Sequence, residues 1–237
     1  MKHRGYKPFL LAVALLCAVV SQVRAQGGFQ NLDFESANVV LDPSSPYYPY
    51  AAIAASALPG WTIVGNFNSP DIFYNDLSAG SPAVSLQGPL IGSETRLGGP
   101  IFEGSYTVVL QAGGSGIHIP VSILQTGLVP LNTESIQMKL STGASGFSVT
   151  LGGQSISMVP LGTGPNYTIF GGSVPSFLVG QSEELDISAL PTTSNPFNGF
   201  ALDSIVFSTS PVPEPASWAL LVCGVGAVVL SRRRNES

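Results

Sequence analysis

The chain has 237 residues, of which only 10% are charged and 44% are hydrophobic, and it contains 27 glycines and 19 prolines. The formal net charge of −5 argues against a basic nucleic-acid-binding protein, so no nucleic-acid partner is expected. Collagen is excluded because no Gly-X-Y repeat is present, and a long helical bundle is disfavoured because glycine and proline interrupt helices.

Residues 1–25 are typical of a secretory signal peptide. Three basic side chains precede an apolar run of 12 residues at positions 9–20, which is short for a membrane span. Small residues at positions 23 and 25 predict cleavage between Ala25 and Gln26, and the segment implies export by the Sec machinery. An N-terminal anchor that is not cleaved is the alternative.

Residues 26–211 differ in composition from the two ends of the chain. Both cysteines, Cys17 and Cys223, lie in the apolar end segments, so neither a disulfide nor a thiolate metal site is expected between them. The stretch 26–211 carries 2 basic and 12 acidic side chains, for a net charge of 2 − 12 = −10. We expect this stretch to form one exported domain.

The pattern within 26–211 is that of a single all-β domain. Short stretches alternate apolar and polar side chains at period two, and clusters of glycine and proline separate them. No apolar period of 3.6 residues continues long enough to predict an amphipathic helix. About ten strands joined by such turns indicate a β-sandwich or jelly roll. The clearest predicted strands are 106–111, 118–124, 136–140, 147–151 and 201–207.

An aromatic cluster, Tyr47, Tyr48 and Tyr50, lies inside a long predicted loop that ends near residue 58. Sugars stack their C–H faces on exposed aromatic rings, so this loop is a candidate carbohydrate platform. The alternative is that the tyrosines fold back onto the edge of the sheet in a compact loop. Trp61 is predicted to start a strand and to join the core.

A hairpin is predicted between 147–151 and 156–158. The two segments read Phe-Ser-Val-Thr-Leu and Ile-Ser-Met, with Gly-Gly-Gln-Ser between them. Alternating segments around a glycine pair are a signal for a tight turn. The strand at 106–111 is expected to be buried on both faces, because its centre is a run of apolar residues.

Catalytic chemistry has little support in this domain. Its single histidine, His118, alternates with apolar neighbours and is predicted to face water from a strand. No set of zinc ligands at suitable spacing is present, nor a Gly-x-Ser-x-Gly motif. The acidic cluster at 183–186 could serve a glycosidase only if two carboxylates, such as Glu183 and Asp186, faced one cleft. We therefore expect no enzyme, and a polysaccharide hydrolase is the least favoured alternative.

The stretch 212–234 has three parts: a proline-rich motif, an uncharged and mostly apolar run at 216–230, and a basic cluster. The residues of the motif and of the cluster are Pro213, Glu214, Pro215, Arg232, Arg233 and Arg234. The arginines are expected to act as a stop-transfer signal that keeps this end of the chain in the cytoplasm. The preceding domain would then lie on the opposite side of the membrane. The 15 residues of the apolar run would give a helix of only about 22 Å, which suits a transient anchor.

This order of elements resembles the PEP-CTERM sorting signal of Gram-negative, exopolysaccharide-producing bacteria. The resemblance implies recognition by an exosortase, a membrane cysteine peptidase, with cleavage near 213–215. The transmembrane helix would then be removed, and the domain would be released or passed to a surface acceptor. A plain C-terminal anchor that carries prolines by chance is the alternative.

Three further segments resemble galactose-binding-like jelly rolls, a group that includes carbohydrate-binding modules. They are Asn-Leu-Asp-Phe-Glu at 31–35, Leu-Pro-Gly-Trp at 58–61 and Leu-Asp-Ser-Ile at 202–205. The first departs from the group's pattern at positions 32 and 33, where glycine and a polar residue are usual. In these jelly rolls a structural Ca²⁺ commonly ties the first strand to the last, which implies Glu35 and Asp203 as ligands. The alternative is that Asp203 caps a turn or faces solvent.

Together these features predict an exported cell-surface or extracellular-matrix protein that an exosortase sorts. The domain is expected to be a structural or binding module associated with exopolysaccharide in a biofilm. Its expected partners are the Sec machinery, the exosortase and exopolysaccharide, and a structural calcium ion is the one cofactor implied. A dedicated carbohydrate-binding module is the alternative function.

Overall fold

The computed structural model describes residues 27–76, 81–91, 99–113, 119–192 and 198–213. These residues form two β-sheets, one of eight strands and one of five, with a single short α-helix. The prediction of an all-β domain is confirmed. The signal segment at 1–25, His118 and the residues beyond Pro213 lie outside the described residues.

Thirteen strands are present in the described part of the chain. Helix α1, Ala54–Ala57, follows the first strand, and a 3-10 turn at Ser176–Leu178 precedes the twelfth. The strands are β1 Ala51–Ile53, β2 Thr62–Val64, β3 Asp71–Tyr74, β4 Ala83–Gln87, β5 Thr107–Gln111, β6 Val121–Leu128, β7 Ser135–Ser141, β8 Phe147–Leu151, β9 Gln154–Ser155, β10 Val159–Thr163, β11 Tyr167–Ser173, β12 Ser182–Ala189 and β13 Gly199–Ser208.

The larger sheet has the order β1-β3-β4-β5-β13-β7-β11-β10, and the smaller has the order β2-β6-β12-β8-β9. All pairs are antiparallel except β3 with β4. The last strand, β13, lies at the centre of the larger sheet between β5 and β7. The C-terminal strand of the domain is therefore a central strand of this sheet.

The core lies between the two sheets. In β6 the burial alternates strictly from Val121 to Leu128, as expected for a strand with one face in the core and one face in water. Ile123 of β6 and Leu185 of β12 are fully buried from the smaller sheet, and Met138 of β7 is buried from the larger one. The described core residues form one contiguous cluster.

Several strand predictions are confirmed with small shifts in their ends. Segment 147–151 coincides with β8, and 136–140 lies within β7. Four of the five residues of β5 are buried, as expected for a strand covered on both faces. Of the segment predicted at 118–124, the described part forms a strand from Val121, and this strand runs on to Leu128.

The predicted hairpin exists, but its second strand begins at Gln154, two residues earlier than predicted. Strand β8 pairs with Gln154 and Ser155, because Gly152 and Gly153 alone make the turn. The Ile156 N–H continues this pairing and donates to the carbonyl of Val149 at 2.9 Å. Both glycines have positive φ, 57° and 72°, which is the conformation a two-residue hairpin turn requires. The apolar side chain of Ile156 enters the core, where it is 4% exposed.

Both ends of the described chain lie at one end of the sandwich. The Leu128 N–H donates to the carbonyl of Gly27 at 3.2 Å, where the chain enters the domain. Where it leaves, the Ser135 hydroxyl donates to the carbonyl of Ser210 at 2.8 Å. Nearby, the rings of Phe29 and Phe207 stack with their centroids 4.9 Å apart. Among the helices that the structure describes, none is long and apolar enough to cross a membrane.

Candidate ligand-binding surfaces

Three aromatic side chains form a surface beside the β1–β3 edge of the larger sheet. We call Tyr47, Tyr48 and Phe67 the aromatic surface. Tyr48 and Phe67 are each 54% exposed, and the half-buried Tyr47 ring meets Phe67 edge-on at 6.0 Å between centroids. On its other side Tyr47 packs edge-on against Phe73 of β3 at 5.5 Å. Such edge-on pairs fix ring orientation, so these rings are held in place while part of their surface meets water.

The loop that carries the tyrosines is tied to strand β1 at one end and to strand β3 at the other. Leu41 forms a bridge with Ala52, and the Asp42 N–H donates to the carbonyl of Ala51 at 3.0 Å. At the other end the carbonyl of Tyr50 accepts the N–H of Tyr74 at 2.7 Å. The two sequence-based alternatives therefore apply to different residues, since Tyr47 and Tyr50 fold back on the sheet while Tyr48 faces water.

Two carboxylates stand at the base of this loop. Hydrogen bonds from the Ser44 hydroxyl and N–H, at 2.7 and 2.8 Å, lower the pKa of Asp42. Burial raises the pKa of Asp71, which is 6% exposed, against the opposing effect of a hydrogen bond from Ser45. The nearby charge of Asp42 adds to that rise, so Asp71 is the more readily protonated of the two.

A second candidate site is a groove of about 690 Å³. It lies where the first described segment, the loop before β5 and the bulged part of β13 meet. Four of its side chains are acidic and four are apolar. Its lining residues are Phe29, Asn31, Leu32, Asp33, Glu35, Ser36, Glu103, Gly104, Asp203, Ser204, Ile205 and Val206.

Glu35 and Asp203 reach this groove from opposite ends of the described chain. One carboxylate oxygen of Glu35 accepts the N–H groups of Ser105 and Tyr106 at 2.8 and 2.9 Å. Asp203 Oδ2 accepts the N–H of Glu103 at 3.2 Å and the hydroxyl of Thr107 at 3.0 Å. The two carboxylates thus hold the 103–107 segment from both sides.

Asp203 is almost completely buried, at 1% exposure. Burial raises its pKa to about 6, although hydrogen bonds from Thr107, Ser204 and Glu103 and the charge of Lys139 oppose the rise. Glu103 is exposed and forms an ion pair with Lys139, and hydrogen bonds from Lys139 and Ser204 lower its pKa. Asp203 does not face solvent, which rules out one of the two alternatives drawn from the sequence. The other, that Asp203 caps a turn, stays open, because Asp203 accepts the N–H of Glu103 at the start of the bend 103–105.

The groove fits a calcium ion in part. Carboxylate oxygens from Glu35 and Asp203 converge there, and calcium prefers six to eight oxygen ligands. Both carboxylates already accept protein N–H groups, however, and the described residues contain no group of three or more His, Cys, Asp or Glu arranged to hold a metal. Calcium binding by Glu35 and Asp203 stays a prediction.

The residues considered for hydrolysis do not share a cleft. Glu183 and Asp186 lie three positions apart on β12, and side chains alternate between the faces of a strand, so the two point to opposite faces. Asp186 accepts a hydrogen bond from the Ser188 hydroxyl at 2.7 Å.

The predicted processing sites fall mostly beyond the described residues. Ala25, Gln26, Glu214, Pro215 and the arginines at 232–234 lie outside them. Pro213 is described and is exposed to solvent, three residues after Ser210.

Sequence reasoning missed Phe67, Glu103 and Thr107. Phe67 stands between two asparagines in the turn-like sequence Asn-Phe-Asn-Ser-Pro, where a large aromatic ring has few ways to be buried. That context is the signal that could have drawn attention to it. Glu103 and Thr107 carry no comparable signal, because their role depends on how the loop folds over the sheet.

Neither a family model nor a curated protein matches this chain. Among solved structures, the enzymatically active domain of tailspike protein 4 of bacteriophage CBA120 is 12% identical with a TM-score of 0.34. That match covers 62% of this chain and 19% of the tailspike chain. A cyclase from Fischerella sp. in its apo form is 12% identical with a TM-score of 0.39, covering 76% of this chain and 93% of the cyclase. Neither likeness is close enough to support an argument about fold or activity.

Proposed function

We propose that this protein is an exported β-sandwich module of the cell surface or extracellular matrix that binds polysaccharide through its aromatic surface. The observation that carries the proposal is the pair of half-exposed rings, Tyr48 and Phe67, next to a tyrosine fixed by edge-on contacts. Sugar rings stack on such aromatic faces, and binding costs less when the faces are already ordered. A jelly-roll fold of the carbohydrate-binding type belongs to the same proposal.

The position of the aromatic surface suits this role. The Phe67 N–H donates to the carbonyl of Pro82 at 2.7 Å, directly before β4. Ala83 of β4 pairs with Gln111, which pairs with Gly199 at the start of β13. The surface therefore lies towards the end of the sandwich opposite Ser210, where the chain leaves. A ligand there would meet no obstruction from a membrane anchor on the C-terminal side.

Export and sorting form the second half of the proposal. The first described residue, Gly27, already accepts a hydrogen bond from the Leu128 N–H. Cleavage after Ala25 would therefore leave a chain whose second residue is part of the fold. At the other end, the exposed Pro213 lies just outside the sandwich, where a peptidase could reach the 213–215 motif. We propose an exosortase as that peptidase, with the arginines at 232–234 holding the segment in the membrane until cleavage.

Affinity electrophoresis of the full chain in gels that contain exopolysaccharide from the producing strain tests the binding function. We expect the polysaccharide to retard the wild-type protein, and Tyr48→Ala and Phe67→Ala each to lose most of the retardation, since aromatic–sugar contacts dominate such sites. Phe177→Ala is the matched control, because Phe177 is 66% exposed but lies at the other end of the sandwich. Equal retardation of all four proteins would contradict the aromatic surface as the binding site.

A further inference from the structure

The two most exposed large apolar side chains of the described residues lie at one end of the sandwich. Leu131 is 74% exposed and Phe177 is 66% exposed. Leu131 lies over Gly180, where an added Cβ would come within 3.0 Å of its Cδ2 atom. Phe177 belongs to the 3-10 turn at Ser176–Leu178. Apolar side chains displayed so fully often mark a contact with another molecule or with a membrane.

Backbone hydrogen bonds hold the two loops together. The Val129 N–H donates to the carbonyl of Gln181 at 2.9 Å, and the Gly180 N–H donates to the carbonyl of Val129 at 3.0 Å. The Val174 N–H donates to the carbonyl of Glu134 at 3.0 Å. Leu131 and Phe177 therefore belong to one rigid tip, which we call the apolar tip and define by these two residues.

The apolar tip adjoins the place where the chain leaves the sandwich. The Glu134 N–H donates to the carbonyl of Ser208 at 2.8 Å, and the Ser135 hydroxyl donates to the carbonyl of Ser210. Only the short segment 211–215 separates Ser210 from the uncharged run at 216–230. The chain from position 210 to position 216 spans about 20 Å at most. If the run 216–230 sits in a bilayer, the membrane surface must lie within that reach of Ser210.

We propose that the apolar tip docks on the lipid surface beside the C-terminal segment, with Leu131 and Phe177 entering the interface. This proposal rests on the membrane-anchored stage of the proposed function. Docking would orient the domain relative to the membrane. Gly27, where the chain enters the domain, lies at the docked end, and the aromatic surface lies towards the far end. Two apolar side chains add to the anchor without making a permanent attachment, so cleavage near Pro213 still releases the domain.

Charge favours neutral lipid as the partner. The stretch 26–211 has a net charge of −10. Glu134, which is exposed, lies in the same loop as Leu131, and its carbonyl accepts the N–H of Val174, three residues before Phe177. A strongly anionic bilayer would repel this end, whereas zwitterionic headgroups permit its approach. Phosphatidylcholine vesicles are therefore the appropriate probe.

The test places a fluorophore on single cysteines in the full chain, with Cys17 and Cys223 replaced by alanine. Phe177→Cys reports on the apolar tip, and Phe67→Cys, which is also more than half exposed, is the matched control at the other end. Each labelled protein is reconstituted in phosphatidylcholine vesicles, and flotation measures how much protein the vesicles carry. Quenching is then measured with a nitroxide at the lipid headgroup and with aqueous iodide.

We expect both proteins to float with the vesicles. The label at position 177 should be quenched severalfold more by the lipid nitroxide than the label at position 67, and less by iodide. Flotation with equal quenching at the two positions would overturn the docking while leaving the anchor intact. Protection of position 177 from iodide without lipid quenching would indicate a second copy of the chain and would also overturn it. Absence of flotation would overturn the membrane stage of the proposed function and the docking with it.

Discussion

At the scale of single residues, Glu35 and Asp203 join three distant parts of the chain. Each carboxylate accepts two hydrogen bonds from the 103–107 segment, across sequence separations of 70 and 71 residues for Glu35 and 100 and 96 residues for Asp203. Three backbone N–H groups and the Thr107 hydroxyl supply the donors, so the three parts are joined by hydrogen bonds within the chain. Such cross-links stabilise a domain that has no disulfides, since they fix a long loop over the centre of the sheet.

Calcium is the residue-scale prediction. At pH 7.5 the Asp203 carboxylate, whose pKa is about 6, is mostly ionised and available to a cation. We expect calcium to raise the thermal midpoint of the full chain relative to chelator, by the equivalent of about 2.7 kcal/mol at a hundredfold excess over Kd. Asp203→Asn and Glu35→Gln should lose this response, whereas Glu184→Gln, a change at an exposed acid on β12, should keep it. Coincident midpoints with calcium and with chelator in the wild type would show that hydrogen bonds alone make the connection.

The sequence could place Glu35 and Asp203 in one site only by resemblance, and their partners could not be predicted at all. Asn31 illustrates what the motif at 31–35 does locally, since its side chain accepts the N–H of Ser36 at 2.9 Å and its carbonyl accepts the indole N–H of Trp61 at 3.0 Å. These contacts confirm that Trp61 belongs to the core, where it is 8% exposed. The 103–107 segment has no such motif, because only tertiary packing brings it to the groove.

At the scale of elements, strand β2 and the start of β6 come together very closely at Gly65. This glycine has a φ of 78°, and an added Cβ would clash with the carbonyl oxygen of Pro120, just before β6. A backbone atom cannot turn aside as a flexible side chain can. The close approach therefore requires glycine for two reasons, the dihedral angle and the absence of a side chain.

Gly65→Ala should therefore destabilise the domain more than a change at another left-handed glycine. Gly143 is the matched control, because its φ is 79° and no atom lies within 4 Å of an added Cβ. We expect Gly143→Ala to lower the free energy of unfolding by about 1 kcal/mol and Gly65→Ala by about 3 kcal/mol or more. Urea denaturation measures both. Equal losses would show that the backbone at Pro120 relaxes and that no steric constraint exists there.

Strands with clear alternation could be predicted, and those without it could not. The bounds of β8 match the prediction residue for residue, because its apolar and polar side chains alternate and a glycine pair follows. β12 begins with Ser-Glu-Glu, which suggests a charged surface loop, although Leu185 and Ile187 are fully buried. β11 carries two adjacent glycines, at 171 and 172, which weaken the strand signal.

At the scale of the whole molecule, the two ends of the sandwich have different surfaces. One end holds both chain termini of the described domain and the apolar tip, and the other lies near the aromatic surface. In the proposed orientation, the first end faces the membrane during sorting and the second remains open to polysaccharide. This polarity could not be predicted from the sequence, because it depends on β13 crossing the centre of the larger sheet from end to end.

The central claim is that the folded module is exported and then cut free at both of its ends. The most direct measurement is the intact mass of the protein recovered outside the inner membrane of the producing cells. We predict a chain that begins at Gln26 and ends within 213–215. Replacement of the arginines at 232–234 should prevent this trimming. Recovery of a product that still carries residues 216–234, or unchanged trimming in the arginine variant, would contradict the claim.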